Sequence, residues 1–386
     1  MSSMDFVKDM DGYKEIENDI KVLRKYARDY SALRGNVKSI IDMLHPDRLH
    51  LRVSEIREET ASTKTLRLVS VNNYLPPFQA GQYINIFVDI SGVRTSRPYS
   101  ISSSPAQRGY YDITVRKVED GFVSNYLLEE VKVGQVLEST APAGNFYYNP
   151  LFHGNDLVFL AGGSGITPFM SMIREVTDRG IDRKIHLVYG SQFEDDVIFQ
   201  DELEDRSRRH ENFNYSLVLS SPPDGYEGLK GFITEGLLKQ VLSDIKNKMF
   251  YICGPEPMYT FCMAELEKLD IEARKIRLEI SGPPKDITAE PGWPQGLDAS
   301  TVFKVKIRNG KTINAKAGEP LMVSLERAGI VVEAMCRSGE CSMCRTKLLD
   351  GKVFHPQAVK LRKSDRDFGY IHPCVAYPIQ DLEIML

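Results

Sequence analysis

Residues 336–344 read Cys-Arg-Ser-Gly-Glu-Cys-Ser-Met-Cys, and Cys374 follows thirty positions later at the end of Tyr-Ile-His-Pro-Cys. This C-x4-C-x2-C…C array is the plant-type ligand spacing for a 2Fe-2S cluster. Two irons need four thiolates, and three of them, Cys336, Cys341 and Cys344, come from one loop that must curl around the metal; Cys374 closes the cage from a distance. Gly339 lets that loop turn tightly and brings amide N–H groups towards the sulfurs. Four cysteines in isolation also suit a zinc site or two disulfides. Zinc sites usually repeat a C-x2-C pair, however, and the second pair is missing here.

Working outward, Val302–Ile307 (VFKVKI) and Lys311–Ala317 (KTINAKA) alternate apolar and polar residues on either side of Asn309-Gly310, which predicts a hairpin. Residues 320–330 (PLMVSLERAGI) have helical periodicity ahead of the cysteine loop. A module of this size, residues 301–386, leaves most of the 386-residue chain unexplained.

The whole chain carries 42% apolar and 26% charged residues and a net charge of −4, an ordinary balance for two or three packed domains. Without a sustained basic stretch, nucleic acid and anionic membranes are not expected as partners. No apolar run is long enough to span a bilayer, and the first residues are acidic rather than signal-like. Beyond the four clustered cysteines only Cys253 and Cys262 remain, so a reducing cytoplasm is the expected location.

Upstream, Arg97-Pro98-Tyr99-Ser100 lies between strand-like segments at 82–90 and 111–118. An Arg for a phosphate, a ring to lie against a flat heterocycle and a hydroxyl for its edge are what a flavin requires. Taken alone, a strand Tyr is as well explained by core packing. Residues 121–127 (GFVSNYL) follow, where Gly121 and Ser124 open a short helix whose free N–H groups suit a pyrophosphate. The next stretch, residues 156–176, reads as a buried strand, the turn Gly162-Gly163-Ser164-Gly165, and a helix beginning Ile166-Thr167-Pro168, an anion site by geometry and dipole. Further strand-like runs at 184–192, 214–220 and 249–258 give the alternation of a doubly wound parallel sheet. The last contains Cys253-Gly254-Pro255-Glu256-Pro257-Met258, in which Cys253 is otherwise a small buried residue.

On these motifs, in this order, the chain from about Leu49 onward resembles the ferredoxin-NADP reductase superfamily. Within it, the likeness is to reductase components of multicomponent oxygenases and to the reductase of hybrid-cluster protein. The resemblance implies an antiparallel β-barrel flavin domain (residues 49–152) and a doubly wound α/β nucleotide domain (153–280). A linker (281–300) and an α+β, β-grasp 2Fe-2S ferredoxin domain (301–386) follow. It places flavin against Arg97, Pro98, Tyr99 and Ser100, with phosphate at Gly121, Val123 and Ser124. Nicotinamide dinucleotide falls at Gly163, Gly165, Thr167, Ser191, Cys253, Gly254 and Pro255, with Cys253 facing the hydride-carrying carbon. Ser100, Cys253 and an acidic Glu279 are the residues closest to the chemistry, although Leu278-Glu279-Ile280-Ser281 lacks the aromatic neighbour usual in the family. The segment at Gly121 favours FAD over FMN. After Ser191, Gln192-Phe193-Glu194-Asp195-Asp196 brings three carboxylates where a 2′-phosphate would want Arg or Lys, which favours NADH over NADPH.

The resulting expectation is an oxidoreductase moving electrons from NADH to FAD to 2Fe-2S and out to a separate terminal protein: an oxygenase, a hybrid-cluster protein or another redox enzyme. Arg337, Glu340 and Met343 are expected on its docking surface. Alternatives are a direct reductase of small acceptors and an electron-transfer subunit of a stable complex. Residues 1–48 carry helical periodicity with Gly35 as the expected break, an extension foreign to the family and suited to an assembly arm. Trp293 is expected to anchor the linker to a domain surface.

Overall fold

The computed structural model describes residues 11–26, 34–44, 46–72, 74–280, 282–357, 359 and 361–386. It divides into two units, residues 1–47 and 48–386. The first holds helices α1 (Tyr13–Tyr26) and α2 (Arg34–Leu44). Gly35 is therefore inside the first turn of α2 rather than at a break, because a glycine at a helix start costs little of the entropy it costs mid-helix. The periodic stretch at 27–33 and residues 1–10 lie outside the described residues.

The second unit opens with six antiparallel strands: β1 (Leu49–Thr60), β2 (Thr63–Ser70), β3 (Tyr83–Ile90), β4 (Val93–Ser100), β5 (Tyr111–Arg116) and, after helix α3 (Phe122–Glu129), β6 (Val136–Ser139). Their order is β4-β3-β6-β1-β2-β5, and a bridge between Ile101 and Ile113 joins the two ends into a barrel. Alternation drives it: Leu49, Leu51 and Val53 point inward while His50 and Arg52 point out. Val123, Leu127 and Leu128 of α3 cap the same core. Arg97-Pro98-Tyr99-Ser100 is itself the end of a strand, an element the sequence reading did not assign. Pro98 cannot donate to a ladder, and β4 tolerates it because it is an edge of the sheet order, paired on one side through Asn85.

Next come β7 (Asp156–Gly162), α4 (Ile166–Arg179), β8 (Lys184–Ser191), α5 (Gln200–Arg209), β9 (Phe213–Leu219), β10 (Leu229–Lys230), α6 (Glu235–Val241), β11 (Met249–Cys253), α7 (Glu256–Lys268) and β12 (Ile276–Glu279). All pairs are parallel, in the order β10-β9-β8-β7-β11-β12. Both faces are covered, so the central strands β7 and β11 are apolar along nearly their whole length. Leu157, Phe159 and Ala161 of β7 join Phe169, Ile173 and Val176 of α4 on one face. Val158 and Leu160 join Leu238 of α6 and Cys262 and Leu266 of α7 on the other. Because β8 lies on one side of β7 and β11 on the other, the order reverses at β7, and the crevice there opens over Gly162–Gly165 and Cys253.

After an irregular segment come β13 (Val302–Ile307), β14 (Thr312–Lys316), α8 (Leu321–Arg327), β15 (Thr346–Asp350), β16 (Val353–Phe354), α9 (Lys363–Asp367), β17 (Tyr370–Ile371), β18 (Tyr377–Pro378) and β19 (Leu382–Met385). The β13–β14 hairpin turns through Asn309 at φ 61°, as its sequence asks. Val305, Ile313, Leu321, Leu325 and Ile384 form the small core. Trp293 of the irregular segment lies edge-on to Phe354 at 5.3 Å and donates Nε1–H to Leu297 O at 3.1 Å, pinning that segment to this last domain.

Candidate active site

A cleft of about 1050 Å3 runs between the three domains of the second unit. The barrel contributes Arg97, Pro98, Tyr99 and Ser100 from β4, with Gly121, Val123 and Ser124 at the start of α3. The parallel sheet contributes Gly165, Thr167, Cys253, Gly254 and Pro255, and the last domain contributes Arg337 and Cys374. A smaller cavity of about 290 Å3 holds Ser100 and Glu279 together with Cys336 and Cys341. Two residues expected here are not brought in. Ser191 is buried and donates its hydroxyl to Phe193 O at 3.0 Å, while Gly163, at φ 51°, lies against the Arg116 guanidinium.

The local geometry explains why these residue types are needed. Gly121 is the N-cap of α3 with no side-chain cap, leaving first-turn N–H groups for a ligand. At Gly165 an added Cβ would stand 2.1 Å from Cys253 O, so only glycine lets the turn press against the end of β11. Thr167 Oγ1 donates to Ser164 O at 2.7 Å, closing the turn.

Charge in the cleft is arranged for an anion. Arg97 donates Nη1–H to Ser96 O at 2.7 Å and to Thr95 Oγ1 at 2.9 Å. Burial, together with the nearby Arg337 guanidinium, pulls its pKa down to about 10. The Nε of Arg337 is buried with no hydrogen-bond partner among the described residues. The Arg97 guanidinium beside an open cleft, with the orphaned Nε–H of Arg337 next to it, fits a flavin phosphate, although the charge of Arg337 itself is met by Glu326. Tyr99 is held un-ionised by burial, its pKa raised. Burial also pushes Glu279 up to about 8, helped by the charges of Glu340 and Cys336 and opposed by Arg277. The Cys253 thiol is raised well above its usual range, by burial and then by Glu279.

The four cluster cysteines sit as two pairs. Cys344 Sγ and Cys374 Sγ are 3.3 Å apart. Cys336 Sγ receives the Cys341 thiol and the amides of Cys341 at 3.3 Å and Ser338 at 3.4 Å. Those hydrogen bonds hold the Cys336 thiol well below its usual range. No three His, Cys, Asp or Glu side chains converge on a point among the described residues. Two thiolates per iron is what a 2Fe-2S cluster asks, whereas a single tetrahedral ion would gather all four. Gly339, at φ 84°, would drive a Cβ to 2.8 Å from Val359 Cγ1, so the loop needs glycine there. Its carbonyl faces His372 Nδ1 at 2.9 Å, and His372 Nε2 faces Asp365 Oδ2 at 2.9 Å.

Sequence reasoning missed the residues that join the domains. Arg116, at the end of β5, pairs with Asp196, which also accepts from Ser62 Oγ at 2.8 Å. Of the three carboxylates expected to meet the ribose, Asp196 is therefore engaged by the barrel, and only Glu194 and Asp195 are exposed. The basic Arg116-Lys117 pair that ends the strand-like run before Gly121 was the available signal. Arg337 is also corrected: it is 7% exposed and points inward, so it belongs to no docking surface.

Residues 50–148 match the oxidoreductase FAD-binding domain family, 159–264 the oxidoreductase NAD-binding domain family and 305–378 the 2Fe-2S iron-sulfur cluster binding domain family. The chain is an oxidoreductase of FAD-binding, NAD-binding and 2Fe-2S domains. It is 28% identical over 345 residues to the glycine betaine monooxygenase reductase subunit of Chromohalobacter salexigens, covering 86% of this oxidoreductase and 93% of that protein. It is 29% identical to the NADH oxidoreductase HCR of Escherichia coli, over 86% of this chain and 96% of that one. In three dimensions it is similar to phthalate dioxygenase reductase, with a TM-score of 0.65 at 23% identity, covering 88% and 97% of the two chains. The cofactor set of the oxidoreductase is thus FAD, a nicotinamide dinucleotide and a 2Fe-2S cluster. Among the described residues no helix is long and apolar enough to cross a membrane.

Proposed function

We propose that this oxidoreductase takes a hydride from NADH and delivers single electrons through its cluster to a separate terminal oxygenase component. The observation that carries the reading is one continuous cleft touching the flavin strand, the nucleotide turn with Cys253, and Cys374 of the cluster loop. Bound flavin accepts two electrons as a hydride and releases them singly, and the cluster accepts one at a time.

The residues of the chain supply position and charge. Arg97 and the N-terminus of α3 hold phosphate, Tyr99 presents a ring, and Ser100 offers a hydroxyl at the junction of the two cavities. Gly165, Thr167 and Cys253 orient the nicotinamide from the opposite wall. Glu279, carrying its proton at neutral pH, stands beside the same junction as a neutral donor. Glu194 and Asp195 are exposed beyond β8, where they suit a free ribose and repel a 2′-phosphate. Cys341 is the least buried of the four cysteines, and the exposed Glu340 and Met343 flank it, which supports electron exit on that face. The named oxygenase relatives support a protein acceptor.

Anaerobic stopped-flow mixing with NADH tests the reading. Flavin bleaching should precede cluster reduction, and the electrons should then pass to an added oxygenase component. A cluster that stays oxidised while the flavin is reduced would sink the relay.

A further inference from the structure

Arg337 follows a cluster cysteine directly, yet its guanidinium leaves the cluster loop and enters the barrel. Glu326 of α8, 5% exposed, is its ionic partner through Oε1, with Oε2 at 3.4 Å from Nη1. Nη2 also reaches Thr95 Oγ1 and Ser96 Oγ of β4, each at 3.3 Å. Thr95 Oγ1 donates to Glu326 Oε2 at 3.0 Å and accepts from Arg97 Nη1 at 2.9 Å. One hydroxyl proton and two lone pairs are thereby all committed, to Glu326, Arg97 and Arg337. Ser96 Oγ accepts as well from Asn85 Nδ2 at 2.9 Å, and the same amide donates to Ala334 O at 2.6 Å.

This network ties the residue beside Cys336 to the residue that holds Arg97. Buried ion pairs contribute little net stability against an apolar substitute, but removing one partner leaves an uncompensated buried charge, so this pair resists separation of the two elements it joins. A second link between the same two domains, Arg48 to Glu333 at 2.9 Å, is largely exposed and lacks that property. We propose that Glu326 and Arg337 are positioning residues that lock the four-cysteine loop onto the flavin-binding strand and so set the spacing between cluster and flavin. The inference rests on the relay reading above. No bond forms or breaks at the lock itself; each transfer across it moves one electron from reduced flavin to ferric iron.

The test uses the full-length holoprotein. Glu326→Gln should leave flavin bleaching by NADH at the unaltered rate and leave the reduced cluster's EPR spectrum unchanged. It should slow cluster reduction about tenfold or more, since ångström-scale misplacement is enough for that. Amide hydrogen exchange should quicken on both sides of the lock, at 94–97 and at 334–338. Glu333→Gln should move none of these. Cluster reduction at the unaltered rate in Glu326→Gln, exchange that quickens only in the cysteine loop, or an equal effect of Glu333→Gln would each overturn the proposal. If Glu326→Gln fails to retain its cluster, the paired replacement Glu326→Leu with Arg337→Met removes both charges. It should keep the cluster absorption and still slow cluster reduction; loss of the cluster there, or an unaltered rate, would assign the pair to cluster retention or to nothing. Failure of the relay reading would instead appear as absent cluster reduction in the unaltered protein, with the exchange comparison still legible.

Discussion

Cys253 and Glu279 are register partners at the carboxyl ends of the adjacent parallel strands β11 and β12. The thiol that lines the nucleotide crevice and the carboxyl at the cluster-side cavity are thus set by one sheet register. A shift of a single residue in that pairing would turn one of them to the opposite face.

Glu279 makes stability fall with pH. Its carboxyl keeps its proton in the folded protein to about 8, against an ordinary value of 4.5 in the unfolded chain. Below the lower value both states are protonated and the group contributes nothing. Between the two only the unfolded chain releases the proton, so stability drops as pH rises, and the full cost stands above the folded value. Burial opens most of that window, the charges of Glu340 and Cys336 widen it and Arg277 narrows it. Thermal melts of Glu279→Gln should therefore show a flatter decline across this range and a higher Tm at its alkaline end. Parallel curves for the two proteins would contradict the assignment.

Gly165→Ala should harm nucleotide binding before flavin binding. Its Cβ would meet Cys253 O at 2.1 Å and Gly254 Cα at 2.7 Å, both backbone, so the turn must lift away from β11. A cost of about 1–3 kcal/mol is expected for such overpacking. Steady-state kinetics should give a raised KM for NADH, with the flavin content of the purified protein unchanged; an unaltered KM would count against the crevice as the nucleotide site.

At the cluster loop, Gly339→Ala combines a left-handed backbone, worth roughly 1–2 kcal/mol, with a clash against Val359 and Val375. Iron per chain and the visible cluster absorption should fall while flavin absorption persists. Full iron content in this variant would mean that the loop wraps its ligand differently.

Nucleotide choice should respond to the exposed acids after β8. Replacing Glu194 and Asp195 together by Arg should shift the ratio of kcat/KM values towards NADPH by about tenfold or more. Asp196 is left out of that pair because its carboxylate holds Arg116, and Asp196→Asn should lower Tm without changing the preference. A ratio unmoved by the double replacement would place the ribose elsewhere.

Much of this was legible in the chain because glycine, cysteine and alternating apolar residues act locally. Gly162–Gly165 predicts a turn at a helix start, and the turn is there. Gly121 with Ser124 predicts the opening of α3, and Gly121 is its N-cap. The strand holding Arg97-Pro98-Tyr99-Ser100 was not legible: Pro98 cannot donate to a ladder, and only the edge position of β4 accommodates it. Arg337 looked like a solvated loop residue because its partner Glu326 is eleven positions away on a helix and Thr95 is 242 away on another domain. Asp196 looked like part of an acidic run until folding set Arg116 beside it.

What the sequence by itself determined is the identity and order of the carriers. Ligand spacing, a flavin-edge motif and two nucleotide motifs are short-range patterns, and the chemistry of each is complete within a few residues. Only the tertiary structure decided how the carriers' sites are held together: the Cys253–Glu279 register, the Arg116–Asp196 link, and the buried Arg337–Glu326–Thr95 lock. Those are pairings between residues far apart in the chain. Their energies exist only once folding has removed water from between them, so no local pattern records them.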